Sequence, residues 1–337
     1  MKDPSTIAAI IAVILIALIA FVLTTSPRFE FVGLQTIPGG TSTTTPPIAP
    51  CFVPNPNGMI LEQSGRTYTI CNSASGGKDS YSLTGPITIK EDKITLDCQN
   101  TELRFPSTKN GIEIFGGKAT VKNCTITGAD NGIYVQGPFS TVSFNTLTKN
   151  NNGIKLFGGK NFGSASSGIM LVGEDCRGFT IENNNAYKNF NNGIYAYQCD
   201  TRDSYTKSYM KNNVIRENEN NGIEFSAFQP YTKVEFNAIE KNGNNGIELN
   251  TASQRTHIRE NKIESNYNNG IYILDSNPWA IFKNKIKLNG AGTANGDGIS
   301  IVSDRLGSGA SMIANLIEAN GKNGISGFFS SSASSSR

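Results

Sequence analysis

The tripeptide Asn-Gly-Ile, or a close variant, returns at Gly111, Gly132, Gly153, Gly168, Gly193, Gly222, Gly246, Gly270, Gly298 and Gly324. A unit that recurs at short, near-regular intervals cannot close a core alone and must stack on its neighbours as a solenoid. The isoleucine is followed two places on by a second apolar residue: Ile112/Ile114, Ile133/Val135, Ile154/Leu156, Ile223/Phe225, Ile247/Leu249, Ile271/Ile273 and Ile299/Ile301. Alternation with period two marks a short strand with one face turned inward.

A second element lies between these strands and reads apolar-x-x-Asn-x-apolar-x-x-Asn. It runs over Val142–Asn150, Ile181–Asn189, Met210–Asn218, Val234–Asn242, Ile258–Asn266, Ile281–Asn289 and Met312–Asn320. Its inner asparagines are Asn145, Asn184, Asn213, Asn237, Asn261, Asn284 and Asn315. Asparagine tolerates left-handed φ and bonds neighbouring backbone, so it suits a tight corner between strands. Identical corners stacked about 4.8 Å apart let each amide bond the next as a ladder. The glycine before each isoleucine is expected to supply a backbone conformation barred to residues with a Cβ. Coils of mostly 21 to 29 residues then hold three strands and three turns. Helical repeats of similar length are excluded, because the apolar spacing is two and Asn-Gly pairs would break a helix in every coil.

The totals agree with a thin repeated core. The 337 residues include 35 glycines, 37% hydrophobic and 17% charged residues. A net charge of +3 with scattered Lys and Arg does not imply a nucleic-acid partner. One histidine, His257, and five dispersed methionines argue against a zinc or copper centre; no cofactor or metal is expected.

Ile7 to Leu23 form an uncharged run of seventeen apolar residues. This is short for a membrane span but long for a signal-peptide core, and Pro27 spoils the nearest cleavage site. An uncleaved signal-anchor over residues 1–26 is expected, with a removed signal peptide and a filament-forming helix resembling type IV pilins as alternatives. Residues 27–50 read as a Thr/Pro-rich linker too polar to pack. The remaining divisions expected are a capping region at 51–105, repeats at 106–326 and a Ser-rich tail at 327–337. Phe328 and Phe329 in that tail are candidates for a minimal plug. Six cysteines behind an apolar leader suggest disulfides and an extracytoplasmic location. They can pair in fifteen ways; pairing of neighbours gives Cys51–Cys71, Cys98–Cys124 and Cys176–Cys199. The sequon at Asn123 carries Cys124 as its middle residue.

These repeats resemble the right-handed parallel β-helix proteins of the pectate-lyase-like superfamily. ITLDCQNTELRF within residues 60–105, with Asp97-Cys98 followed by Asn123-Cys124, is similar to the branch named for periplasmic copper-binding proteins and for carbohydrate-binding and sugar-hydrolase domains. The resemblance spans residues 51 to about 326. It implies an all-β, right-handed parallel β-helix of about ten coils with three strands each; the apolar run Ile7 to Leu23 adds one expected N-terminal transmembrane helix before it. The resemblance also implies sugar contact on the exposed face of the sheet holding the Asn-Gly-Ile strands.

The outward residues on that face are Glu113, Tyr134, Lys155, Met170, Tyr195, Glu224, Glu248, Tyr272 and Ser300. Tyr195, Glu224, Glu248 and Tyr272 form the expected platform, with rings to stack on sugars and acids to accept hydroxyls. Asp275 and Trp279, on one of three longer excursions, are further substrate-binding candidates. The other excursions run from Tyr197 through Arg202 and Tyr205, and from Ser226 through Tyr231. Glu224 and Glu248, one coil apart, are also the candidate acids of a retaining glycosidase. No cluster matching the Arg/Lys-and-acid constellation of lyases is found; Arg305 and Lys160 stand apart. Glu and Tyr are equally ordinary residues for an exposed strand. The expected function is a membrane-anchored surface protein of structural or adhesive type that binds polysaccharide. A surface polysaccharide hydrolase or lyase is the first alternative, and a filament subunit the second. Expected partners are the membrane, a surface glycan, and other copies through coil ends or the apolar helix.

Overall fold

The computed structural model describes residues 51–157, 178–197, 207–227, 231–251, 256–276, 278–292, 296–302 and 311–327. The expected anchor, linker and Ser-rich tail lie outside them, apart from Gly327. Among the described residues no helix is long and apolar enough to cross a membrane.

Among the described residues thirty-one short strands form three wholly parallel sheets of 11, 10 and 10 strands. Each sheet takes every third strand of the chain, so consecutive strands wind around an axis and every coil contributes one strand to each sheet. One coil shows the rule. Ile223–Ser226 lies in the first sheet, Thr232–Glu235 in the second and Ala238–Glu240 in the third. Ile223, Phe225, Val234 and Ile239 all point inward and are fully buried. The next coil repeats the pattern in register, Ile223 against Ile247 and Phe225 against Leu249. Each such aliphatic side chain contributes about 1.5–3 kcal/mol by leaving water.

Four features bear on the sequence reading. First, coils are already present before residue 105. Strands from Met59–Leu61 to Glu102–Arg104 already make two coils, and the second pairs directly with the third. Second, Gly168 and Met170 lie outside the described residues, and the first sheet passes directly from Asn152–Phe157 to Ile194–Tyr197.

Third, the left-handed corner residue is the one before each inner asparagine. Phe144, Asn183, Asn212, Phe236, Glu260, Lys283 and Ala314 have φ between 54° and 58°. The asparagine that follows turns its amide into the coil stack. Asn213 Nδ2 donates to Ile181 O at 3.0 Å, for example, and Asn237 Nδ2 to Met210 O at 2.9 Å. Its side chain has to satisfy buried backbone, and that requirement selects the residue. Fourth, the glycine before isoleucine is needed for space. A Cβ on Gly222 would stand 2.6 Å from Gly246 O and 2.5 Å from Ile239 Cγ2. No positive φ is found at Gly222 or its repeats.

Two of the expected disulfides are present, Cys51–Cys71 and Cys98–Cys124. Cys176 and Cys199 lie outside the described residues. The Cys98–Cys124 pair takes the place of the inner-corner asparagines in the early coils, and Cys124 N–H donates to Asn145 Oδ1 at 3.0 Å. A covalent rung thus starts the amide ladder.

Candidate functional site

Pairing in the first sheet places the outward residues in a single file. Thr88 stands against Glu113, Glu113 against Tyr134 and Tyr134 against Lys155. Lys155 faces Tyr195, because its flanking residues pair as Ile154 with Ile194 and Leu156 with Ala196. Tyr195 then opposes Glu224, Glu224 opposes Glu248, Glu248 opposes Tyr272, and Tyr272 opposes Ser300. The four platform residues thus occupy four consecutive rungs, each half-buried.

The two carboxylates are oriented by asparagines of the coil corner. Glu224 Oε2 accepts from Asn221 Nδ2 and from Asn192 Nδ2 of the preceding coil, each at 3.0 Å. Glu248 Oε2 accepts from Asn245 Nδ2 at 2.9 Å. Asn110 and Glu113 repeat the same three-residue relation at 2.8 Å. Acid at this outward position therefore has a structural use, since it satisfies an amide whose oxygen serves the next coil, as Asn221 Oδ1 does for Asn245 N–H at 3.0 Å.

Burial raises the Glu224 carboxyl above the usual carboxylate range, and the charge of Glu248 raises it further. The Asn221 and Asn192 amides oppose that shift without cancelling it. Tyr195 is raised well above an ordinary phenol by burial and then by Glu224. Tyr272 is raised by burial, Glu248 and Asp275. Asp275 is exposed and sits at φ 45° just past the Tyr272 strand. A half-buried acid pair bracketed by two phenols can accept and donate hydrogen bonds to a polyhydroxylated ligand lying along the sheet.

Lys155 was legible only as an exposed residue, yet it is 2% exposed. Burial pushes its ammonium down to about 8 although Asp130 favours the charge. Its Nζ stands 5.9 Å from the Tyr195 ring centroid.

Trp279 keeps different company. Its ring lies 5.8 Å from Tyr231 and 5.4 Å from His257, and Tyr231 and His257 are 5.0 Å apart. His257 is an outward residue of the second sheet, so this trio belongs to that face. Of the three excursions, residues 198–206 and 228–230 lie outside the described chain, as do Lys160 and Arg305. Among the described residues no group of three or more His, Cys, Asp and Glu side chains converges as a metal centre.

A family model described as a right handed beta helix region matches residues 87–200 and 161–306. The chain belongs to that family. No curated protein matches this β-helix. Among solved structures, the A-module of mannuronan C-5 epimerase AlgE4 from Azotobacter vinelandii is 15% identical with a TM-score of 0.51. That match covers 80% of this chain and 81% of the other. The periplasmic alginate epimerase AlgG is 17% identical with a TM-score of 0.48, over 74% of this chain and 75% of the other. The Dettilon tailspike protein is 14% identical with a TM-score of 0.40, over 77% and 60%. At these identities the likeness is one of fold.

Proposed function

We propose that this β-helix is a surface-displayed rod that binds polysaccharide along the outer face of its first sheet and is held at the membrane by the apolar run at residues 7–23. The observation that carries the reading is the file Tyr195, Glu224, Glu248 and Tyr272 on consecutive rungs. A ligand built of repeated rings meets a surface built of repeated rungs, so several sugars engage equivalent positions at once. Phenols supply faces for stacking, and carboxylates already held by asparagines accept hydroxyl protons with little further ordering. The fold is shared with the A-module of a mannuronan C-5 epimerase.

A second reading, polysaccharide hydrolysis, has one observation in its favour. Glu224 is raised toward the protonated form beside Glu248, the division of labour that acid and nucleophile require.

The test is the full chain against a glycan panel, with binding measured alongside release of reducing ends and unsaturated products. Saturable binding lost in Tyr272→Ala and in Glu224→Ala/Glu248→Ala, without products, supports the binding role. Products that disappear in the double variant move the assignment to an enzyme. No binding to any glycan, with native circular dichroism retained, sinks both readings.

A further inference from the structure

The outward file of the second sheet changes character partway along the stack. Thr67, Thr95, Thr120, Thr141 and Thr180 occupy successive coils in register. The file then continues as Tyr209, Lys233 and His257. Stacking geometry does not call for this change, because the backbone pairing is the same throughout. At the same level Tyr231 and Trp279 fold in from the chain just before their strands and complete a three-ring cluster with His257.

Charge is distributed unevenly around these rings. Lys207, Lys233 and Arg259 all act on the His257 imidazole, against one carboxylate, Glu235. That carboxylate is 5% exposed and is already held by Arg259 at 2.9 Å and Lys233 at 3.7 Å. Lys207 is exposed, with Nζ 5.9 Å from the Tyr231 ring centroid. The surface presented is therefore aromatic and net cationic. Trp279 is 52% exposed, a large ring left in water beside that charge. His257 Nε2 is buried and has no hydrogen-bond partner.

We propose that Tyr231, His257 and Trp279, with Lys207 and Lys233, form a second binding site that takes a saccharide unit bearing a carboxylate or sulfate group. The indole face stacks on the sugar ring and the two ammonium groups meet the anion. The site lies on a different sheet from the Glu224 face and does not depend on that reading.

Trp279 is the only tryptophan of the chain, so its emission reports this site alone. The full chain is titrated with a uronic-acid oligosaccharide, a sulfated oligosaccharide and a neutral gluco-oligosaccharide of equal length. A saturable emission change with at least one charged probe, weakened by added salt, is expected. Lys207→Gln and Lys233→Gln should each weaken it about tenfold, which corresponds to about 1.4 kcal/mol, while Lys90→Gln on a distant coil leaves it unchanged. Comparison of the charged probes then identifies which anion is preferred. An equal response to the neutral probe, or no response to either charged one, overturns the proposal. Glycan binding that leaves Trp279 emission unmoved and is lost in Tyr272→Ala overturns this site and leaves the first-sheet reading standing.

Discussion

Asn213 and Asn237 stand one coil apart, and both the backbone N–H and the side-chain amide of Asn213 donate to Asn237 Oδ1, each at 2.9 Å. Every asparagine of this file repeats the pattern with its successor, from Asn145 to Asn315. A second file runs from Asn150 through Asn189, Asn218, Asn242, Asn266 and Asn289 to Asn320. The amides from Asn145 to Asn284 and from Asn150 to Asn289 are buried and hydrogen-bonded, so the files act as polar spines beside the isoleucine core.

Asn237→Ala removes one acceptor and leaves two buried donors of Asn213 without a partner. A loss of about 2–4 kcal/mol is expected, read as a lower midpoint in urea unfolding. An unchanged midpoint would mean that water replaces the amide and that the spine is dispensable.

Gly222→Ala places a Cβ against Gly246 O and Ile239 Cγ2, both within 2.6 Å. The coils would have to separate locally, at a cost of about 1–3 kcal/mol. Gly292 has open space around its Cα, and Gly292→Ala should stay within about 0.5 kcal/mol of the parent. Equal effects at the two positions would refute the steric account.

Cys98→Ser/Cys124→Ser opens a cross-link between residues 26 apart in sequence. The expected loss is about 3.5 kcal/mol by the loop-entropy estimate. Thermal unfolding of the variant against the parent measures it, and a reducing agent should lower the parent's midpoint but not lower the variant's through this bond.

Glu224 has a folded-state pKa above its unfolded value, so the folded protein favours the protonated carboxyl. Its contribution is therefore fully favourable below the ordinary carboxylate pKa and is lost as pH rises through the raised one. Glu224→Gln retains an oxygen for the Asn221 and Asn192 amides and never ionises. At neutral pH the variant should unfold at the same or a higher temperature than the parent. That advantage should vanish at pH 4, and an advantage that grew on acidification would contradict the assignment.

Much of the stack was legible because its information is local. Ile223 and Phe225 announce an inward strand face, and Asn213 and Asn237 announce a corner, within a few residues of chain. Neighbour pairing also anticipated Cys51–Cys71 and Cys98–Cys124, since adjacent coils bring consecutive cysteines together. The file on the first sheet followed from the same register, and Tyr195, Glu224, Glu248 and Tyr272 stand on consecutive rungs as their repeats imply.

What the repeats alone could not decide lies between coils or outside their rhythm. The tripeptide signature does not show that strand pairing passes directly from Asn152–Phe157 to Ile194–Tyr197. The left-handed corner fell to Phe236 and Glu260, whose side chains can face solvent, while Asn237 and Asn261 were needed to bond buried backbone. His257, dismissed as a lone metal ligand, gained meaning only when Tyr231 and Trp279 closed on it. Sequence by itself determined the coil, its apolar faces and its amide spines, because each is a short-range pattern repeated. The tertiary structure decided which side chains share a surface, because that depends on contacts between residues more than twenty positions apart.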